Sequence, residues 1–514
     1  MEQAATNTGE QGRRHAAAWG ALLGYAATLL AIARNVLLVP AYLHFISLAE
    51  YGAWLATGAA LVQIVVTDFG LAGVLTQRVS ALHGARDTGR LGQVISSGIA
   101  AALGLSVILT ALSAIGLAIF PSMKGLSVAE NARVEYCFML AVAANAIGIV
   151  TSTSYGLVRS FQHSLVAGVA IIVADLINIA ITVILLLAGA GLYSIAYGLI
   201  ARSAVAAIFL LAYLFHFCRK RLGLTLTFSW QEARVLFSDS WNSFWSAIAM
   251  RLQTQSNAFF VAVIVSPQAA ALYGLTVRAH ETVFALLGQV NAALAPSMAH
   301  LVGSGNLSRF KQLLPRMLPA VALFVAVSMA ITLSVNRLFV SLWVGPGVFA
   351  GQAVSLLMGA AVWAASIGFL AYDSLYALGK FRLIAWVYVL SAVVHVTLLV
   401  VLLRFGLWMA PLVTLATTLL WGSVFWRQLA VIIRLDGTDF RLAVADALRT
   451  GLIAVLVVGG FLRWRWPVDS WMALVLEVGG CGVVFLSAAL AFSSRTRVII
   501  FEESRMTWRA LFNR

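Results

Sequence analysis

Charge is what this chain has least of. Only 10% of its 514 residues are Asp, Glu, Lys or Arg, against about 25% in a soluble globular domain, which excludes an ordinary water-soluble fold. Acids are scarcest: 19 Asp and Glu stand against 34 Lys and Arg, for a net charge of +15. Cysteine is nearly absent. Cys137, Cys218 and Cys481 lie far apart and within or beside apolar runs, so neither a disulfide framework nor a Cys/His metal site is expected. The chain has no phosphate-cradling glycine loop and no nucleophile elbow. No catalytic constellation, metal site or cofactor is therefore predicted, and the protein is not expected to be an enzyme.

Apolar residues are what is there, at 61%. A bilayer span needs about 20 of them in succession. Fourteen runs qualify, near 18–44, 50–75, 93–120, 133–158, 164–189, 192–217, 239–265, 270–301, 313–336, 350–378, 383–403, 406–430, 443–462 and 470–492. The run after Arg13-Arg14 is too long for a signal-peptide core and reads as the first span. Most basic residues then fall on one side, in the tails and in loops holding Arg78, Arg86 and Arg90, or Arg219, Lys220 and Arg221. By the positive-inside rule both termini are cytoplasmic. The same rule accounts for the net charge, so nucleic acid is not expected as a partner.

The chain repeats itself. Ala81-Leu82-His83-Gly84, with Arg90 six residues after the glycine, returns as His300-Leu301-Val302-Gly303 with Arg309. Tyr51-Gly52 matches Tyr273-Gly274, Tyr155-x-Leu157-x-Arg159 matches Tyr376-x-Leu378-x-Lys380, and Gly191-Leu192 matches Gly406-Leu407. The prediction is an all-α integral membrane protein of about 14 transmembrane helices. Two six-helix lobes, 18–217 and 239–432, are related by a pseudo-two-fold axis along the membrane normal. They are joined by a cytoplasmic linker at 218–238 and followed by two extra helices at 443–492, with tails at 1–17 and 493–514. Transporters built from such repeats bind substrate at the repeat interface near the midplane.

Charges within the spans carry the functional reading. Arg34, Arg251 and Arg278 fall in the middle third of their runs. A guanidinium does not lose its charge, and one at the bilayer centre costs about 2.5–3.5 kcal/mol on insertion scales. One reading is a cationic cavity for phosphate or carboxylate, with Asn35, Gln255, Thr282 and Gln289 as further polar lining and Thr254 and Trp245 beside Arg251. The other is structural ion pairing, of which Arg278–Glu281 at i,i+3 is the simplest case. Asp175 is expected to pair with Arg202 on the next helix, or to form a cation site with Asn178 and Thr182. Asp68 reads as a gate or proton acceptor, or as a cap or partner of Arg78. Glu281 and Asp175 stand with it as candidates for gating or coupling. Asp373 reads as interfacial, His395 as a bonded core group, and Asp436/Asp439 as a loop without metal chemistry.

Arg34-Asn35, Pro40, Leu43, Tyr51-Gly52, Asp68-Phe69-Gly70-Leu71 and Arg78 together resemble the opening of the polysaccharide repeat-unit flippases. These belong to the multidrug/oligosaccharidyl-lipid/polysaccharide exporter superfamily, and the resemblance covers roughly residues 15–430. It implies a bacterial inner-membrane protein that moves an undecaprenyl-pyrophosphate-linked oligosaccharide of the O-antigen, lipopolysaccharide or exopolysaccharide kind to the periplasmic leaflet by alternating access. It also implies a cationic cavity lined by spans 1, 2, 7 and 8, H+ or Na+ coupling, membrane lipids as surroundings and a polysaccharide polymerase as a partner. Fourteen spans are also the number in lipid II-type flippases of that superfamily. A multidrug or organic-cation antiporter would line its cavity with acids, and a polymerase would need a sizeable outer loop; neither is seen.

Overall fold

The computed structural model describes residues 23–24, 26–27, 29–61, 70–85, 87–117, 123, 125–303, 307–435, 437–463 and 470–492. The two tails, Asp68, Asp436 and the side chain of Gln289 lie outside the described residues. Among the described residues ten helices are long and apolar enough to cross a membrane, which makes this a multi-pass membrane protein. The four remaining sequence runs, 18–44, 50–75, 239–265 and 270–301, include those that carry Arg34, Arg251, Arg278 and the Asp68 motif. Helices dominate because hydrocarbon offers no hydrogen-bond partners, so each span must satisfy its own backbone.

The chain divides into two compact units, residues 1–271 and 272–514. In the first, α1 (Leu29–Phe45) leads into α2 (Leu48–Trp54), which Ser47 caps by accepting a hydrogen bond from the Glu50 amide. A π-helical segment, Leu55–Leu61, follows α2. α3 (Leu71–Ala85) begins after Gly70, whose φ of 73° lies in the left-handed region that glycine tolerates. α4 (Thr88–Leu117), α5 (Val128–Ser160), α6 (Ser164–Leu187), α7 (Tyr193–His216) and α8 (Trp230–Ile264) complete the unit. α5 is central and packs on α3, α4 and α7, while α6 lies along α7.

α9 (Pro267–Gly303) begins in the first unit and continues into the second, with Ser266 capping its first turn and Pro267 at its first position, where a missing amide costs nothing. α10 (Leu307–Val344), α11 (Gln352–Ala377), α12 (Phe381–Leu402), α13 (Met409–Ile433), α14 (Thr438–Arg463) and α15 (Trp471–Phe492) follow. α14 and α15, the helices outside the repeat, are anchored on α10: Ala326 and Ala330 meet Val457, Val458, Cys481 and Phe485 in one buried cluster. Small residues at this seam let backbones approach, which is how helices associate where lipid is as apolar as the protein.

The repeated motifs have local physical reasons. Gly191 (φ 54°) and Gly406 (φ 131°) turn the equivalent hairpins α6–α7 and α12–α13 through backbone angles that side chains disfavour. The Gly52 of Tyr51-Gly52 sits against the start of α9, where an added Cβ would fall 1.7 Å from the Pro267 carbonyl oxygen. Backbone cannot yield as a flexible side chain can. Gly52→Ala is therefore expected to cost about 1–3 kcal/mol, the range for overpacking a tight contact. Gly104→Ala, with nothing within 4 Å of the new Cβ, is expected to leave stability at or above wild type. Thermal unfolding of the two purified variants checks this, and equal midpoints would refute the close-approach reading.

Candidate functional site

The site grows out of the α6–α7 seam of the first unit. On α6, Asp175, Asn178 and Thr182 recur at helical spacing, so they share one face, and all three are buried. Gly198 makes room for that face. A Cβ there would lie 2.1 Å from the Thr182 hydroxyl and 3.3 Å from the Asn178 carbonyl oxygen, so its absence brings α7 against α6. One turn on from Gly198 along α7 is Arg202. Its Nε donates to Asp175 Oδ1 at 2.5 Å, with Nη2 at 3.5 Å from Oδ2.

Arg34 arrives from α1. Its Nη1 donates to the same Asp175 Oδ1 at 2.9 Å. Asp175 is thus shared by two guanidiniums, and its side chain is only 3% exposed. The sequence leaves Arg34 between a cavity and a structural ion pair, and Asp175 between a pair with Arg202 and a cation site; the structure brings all three together. The triad keeps a net charge of +1. Each guanidinium has five N–H donors, more than these contacts with Asp175 use. Arg34 and Arg202 remain 19% and 36% exposed, so their unused edges are not walled in. Asn35, beside Arg34, is exposed.

Arg251 lies half-buried on α8. Gln255, one turn on, is half-buried, and the Thr254 hydroxyl turns back to the Met250 carbonyl at 3.0 Å. Sequence reasoning did not single out Gln253, Ser256 and Asn257, which are buried around the same turn. Their polarity inside an apolar run was the available signal. In the second unit Arg278 makes the local i,i+3 pair with Glu281 at 3.2 Å, and Thr282 Oγ1 donates to the Arg278 carbonyl. The next residues inward are a bonded polar group: Asn336 Nδ2 donates to the Thr276 carbonyl and to Ser355 Oγ, both at 2.9 Å, with the fully buried His280 at 3.4 Å from Ser355 Oγ. His395 is bonded to Thr417 at 3.0 Å as a core group.

A second charged cluster ties α8 to α3 and α4. Arg78 reaches Glu232 at 3.4 Å and Asp239 at 2.6 Å, and Arg90 reaches Glu232 at 2.7 Å. Ser97 accepts from the Ser229 amide at 2.8 Å, so the segment before α8 is stitched onto α4 as well. Arg78 and Arg90, which the sequence shows as topology-setting charges, also clamp the start of α8. Among the described residues no group of three or more His, Cys, Asp or Glu is placed to hold a metal ion.

The model of the family described as polysaccharide biosynthesis protein matches residues 20–302, more than half of the chain. No curated protein matches by sequence. Among solved structures, a multidrug resistance MATE family transporter of the MOP superfamily, in an inward-facing conformation, superposes with a TM-score of 0.64 at 15% identity, over 79% of this chain and 94% of that one. The lipid II flippase MurJ, in an inward closed conformation, gives 0.64 at 12% identity over 91% of this chain and 98% of its own. A MOP superfamily transporter from Pyrococcus furiosus, described as having a binding pocket of reversed polarity, gives 0.60 at 14% identity over 82% of this chain and 96% of its own. These identities establish the fold alone. With the family match spanning α1 to α9, the chain belongs to the polysaccharide biosynthesis protein family and carries the helical fold of the MOP-superfamily transporters and flippases.

Proposed function

We propose that this protein flips an undecaprenyl-pyrophosphate-linked oligosaccharide, a polysaccharide repeat unit, from the cytoplasmic to the periplasmic leaflet of a bacterial inner membrane by alternating access. The observation that carries this reading is the triad: two permanent cations and one carboxylate, deep in the first unit and partly open. A diphosphate leaving water loses strong hydration, and fixed guanidiniums replace it with charge-assisted, bidentate hydrogen bonds. An organic-cation exporter would need the opposite balance. Arg251 is proposed as a further headgroup ligand on α8, and Arg278 as the corresponding cation on α9. Asp175, Glu281 and Asp68 are proposed as the gating or coupling groups for H+ or Na+, with Asn35, Gln255, Thr282 and Gln289 as polar lining. A lipid II-type cargo is the second reading, favoured by the 91% of the chain that aligns with MurJ against 79% with the MATE transporter.

The triad separates a binding role from a structural one. Arg202→Gln leaves a neutral Arg34–Asp175 pair, so the protein is expected to fold near the wild-type level while export falls about tenfold, as loss of one charge-assisted contact implies. Asp175→Asn strands two like charges and is expected to destabilise the fold by about 3 kcal/mol, the low end for breaking a buried pair because Arg202 is partly exposed. Detergent-solubilised yield and melting, measured beside surface polysaccharide in a complemented deletion strain, read both effects. Full export by Arg202→Gln would leave the triad a purely structural tie.

Arg251→Ala is expected to abolish export, with lipid-linked intermediate accumulating in the cytoplasmic leaflet. Arg251→Lys is expected to restore only part of it, because an ammonium cannot make the bidentate contact. Wild-type polysaccharide from Arg251→Ala would refute the role.

A further inference from the structure

α8 is held within the first unit in different ways at its two ends. At its start the fastening is by charges and hydroxyls. Arg78 of α3 meets Asp239 at 2.6 Å and one oxygen of Glu232 at 3.4 Å, and Arg90 of α4 meets the other oxygen of Glu232 at 2.7 Å. Residues 223–229, just before α8, have no regular secondary structure. They are tied to α4 by Ser96, which donates to the Thr227 carbonyl at 2.6 Å, and by Ser97, which donates to the Ser229 carbonyl at 3.1 Å. Past the far end of α8 the contact is main chain on main chain, where Gly52 of α2 lies against the Pro267 carbonyl.

The two ends differ in what it takes to part them. A partly exposed ion pair loses little on separation, because water takes over both charges. Arg90 and Asp239 are 55% and 46% exposed, so water already reaches them. A serine-to-carbonyl bond is exchanged for water in the same way. Ala233 and Leu236 add apolar burial here, within a single turn. The approach at Gly52 is a packing contact, with no charge for water to take over. Val265 lies between α8 and α9 and belongs to neither helix, so the chain can bend there. Asp239 is about 39 Å from that corner, and a tilt of about 10° moves it by about 7 Å, at 1.5 Å rise per residue. Residues 223–229 can reach about 23 Å when extended, enough slack to follow. By sequence α8 is also the first span of the second repeat, yet these charges fasten it to helices of the first.

We propose that the Arg78–Asp239 pair, braced by Glu232 and Arg90, is a latch, and that its release lets the start of α8 swing away from α3 and α4 about the corner at Val265. The swing opens a path toward Arg251 from the end of α8 that the positive-inside rule puts in the cytoplasm. This rests on the alternating-access reading above and adds the moving part, its fastening and its pivot. Arg78 and Asp239 thereby control access to the headgroup site without touching the cargo.

The test is a distance measurement by pulsed electron–electron double resonance on the full-length protein in nanodiscs. One nitroxide pair, at Ser80→Cys and Ser238→Cys, sits on exposed positions either side of the latch; the other, at His44→Cys and Val265→Cys, sits on exposed positions beside the corner. The three native cysteines are buried, so the label goes to the introduced ones. Asp239→Asn is expected to raise the longer-distance fraction across the latch about three- to fivefold, the factor that a partly exposed ion pair is worth, and to leave the corner pair unchanged. Asp239→Glu, which keeps the charge, is expected to match the wild type. Saturating farnesyl diphosphate is expected to lengthen the latch distance in the wild type too, since a ligand that binds the open form draws the population to it. The latch is overturned if Asp239→Asn keeps the wild-type distances, if both pairs lengthen together, or if Asp239→Glu opens as far as Asp239→Asn. If Asp239→Asn opens the latch pair alone while farnesyl diphosphate changes nothing, the latch stands and the headgroup reading of Arg251 fails.

Discussion

The account depends on one carboxylate in a place with little water. Asp175 takes a hydrogen bond from Arg34 on α1 and from Arg202 on α7. Without it, two guanidiniums would converge in a low-dielectric interior and repel. With it, α1 is tied to the consecutive helices α6 and α7 at one point and a single positive charge is left over. A neutral pair would stabilise the fold and bind nothing; an excess of acids would suit a cationic cargo. Two cations on one anion is an arrangement that holds together empty and still attracts a diphosphate.

Much of this fold was legible because hydrocarbon imposes a simple rule on sequence. The run at 164–189 became Ser164–Leu187, and the run at 470–492 became Trp471–Phe492. Gly191 and Gly406, matched from two-residue motifs, proved to turn equivalent hairpins with positive φ. Where the reading of ends failed, the reason is physical. Apolar runs report depth in lipid, not the limits of hydrogen bonding. The run beginning at 239 belongs to a helix that starts at Trp230, and the run at 313–336 lies inside Leu307–Val344. The run at 50–75 takes in a short helix, a π-helical segment and, after Gly70 with its positive φ, the start of α3.

The pairing of charges was only half legible. Arg202 and Asp175 lie 27 residues apart on adjacent antiparallel helices, so depth alone brings them together. Arg34 lies 141 residues from Asp175, and no local rule connects them. The clamp of Glu232 and Asp239 by Arg78 and Arg90 was hidden for a related reason. Basic residues in loops are explained so completely by topology that a second role leaves no trace in composition.

The most direct measurement is a structure of the protein with a prenyl diphosphate bound. The account predicts phosphate oxygens within hydrogen-bonding distance of the free edges of Arg34 or Arg202, with Asp175 still held between them. A diphosphate bound elsewhere in the protein, with the triad closed on itself and untouched, would contradict it.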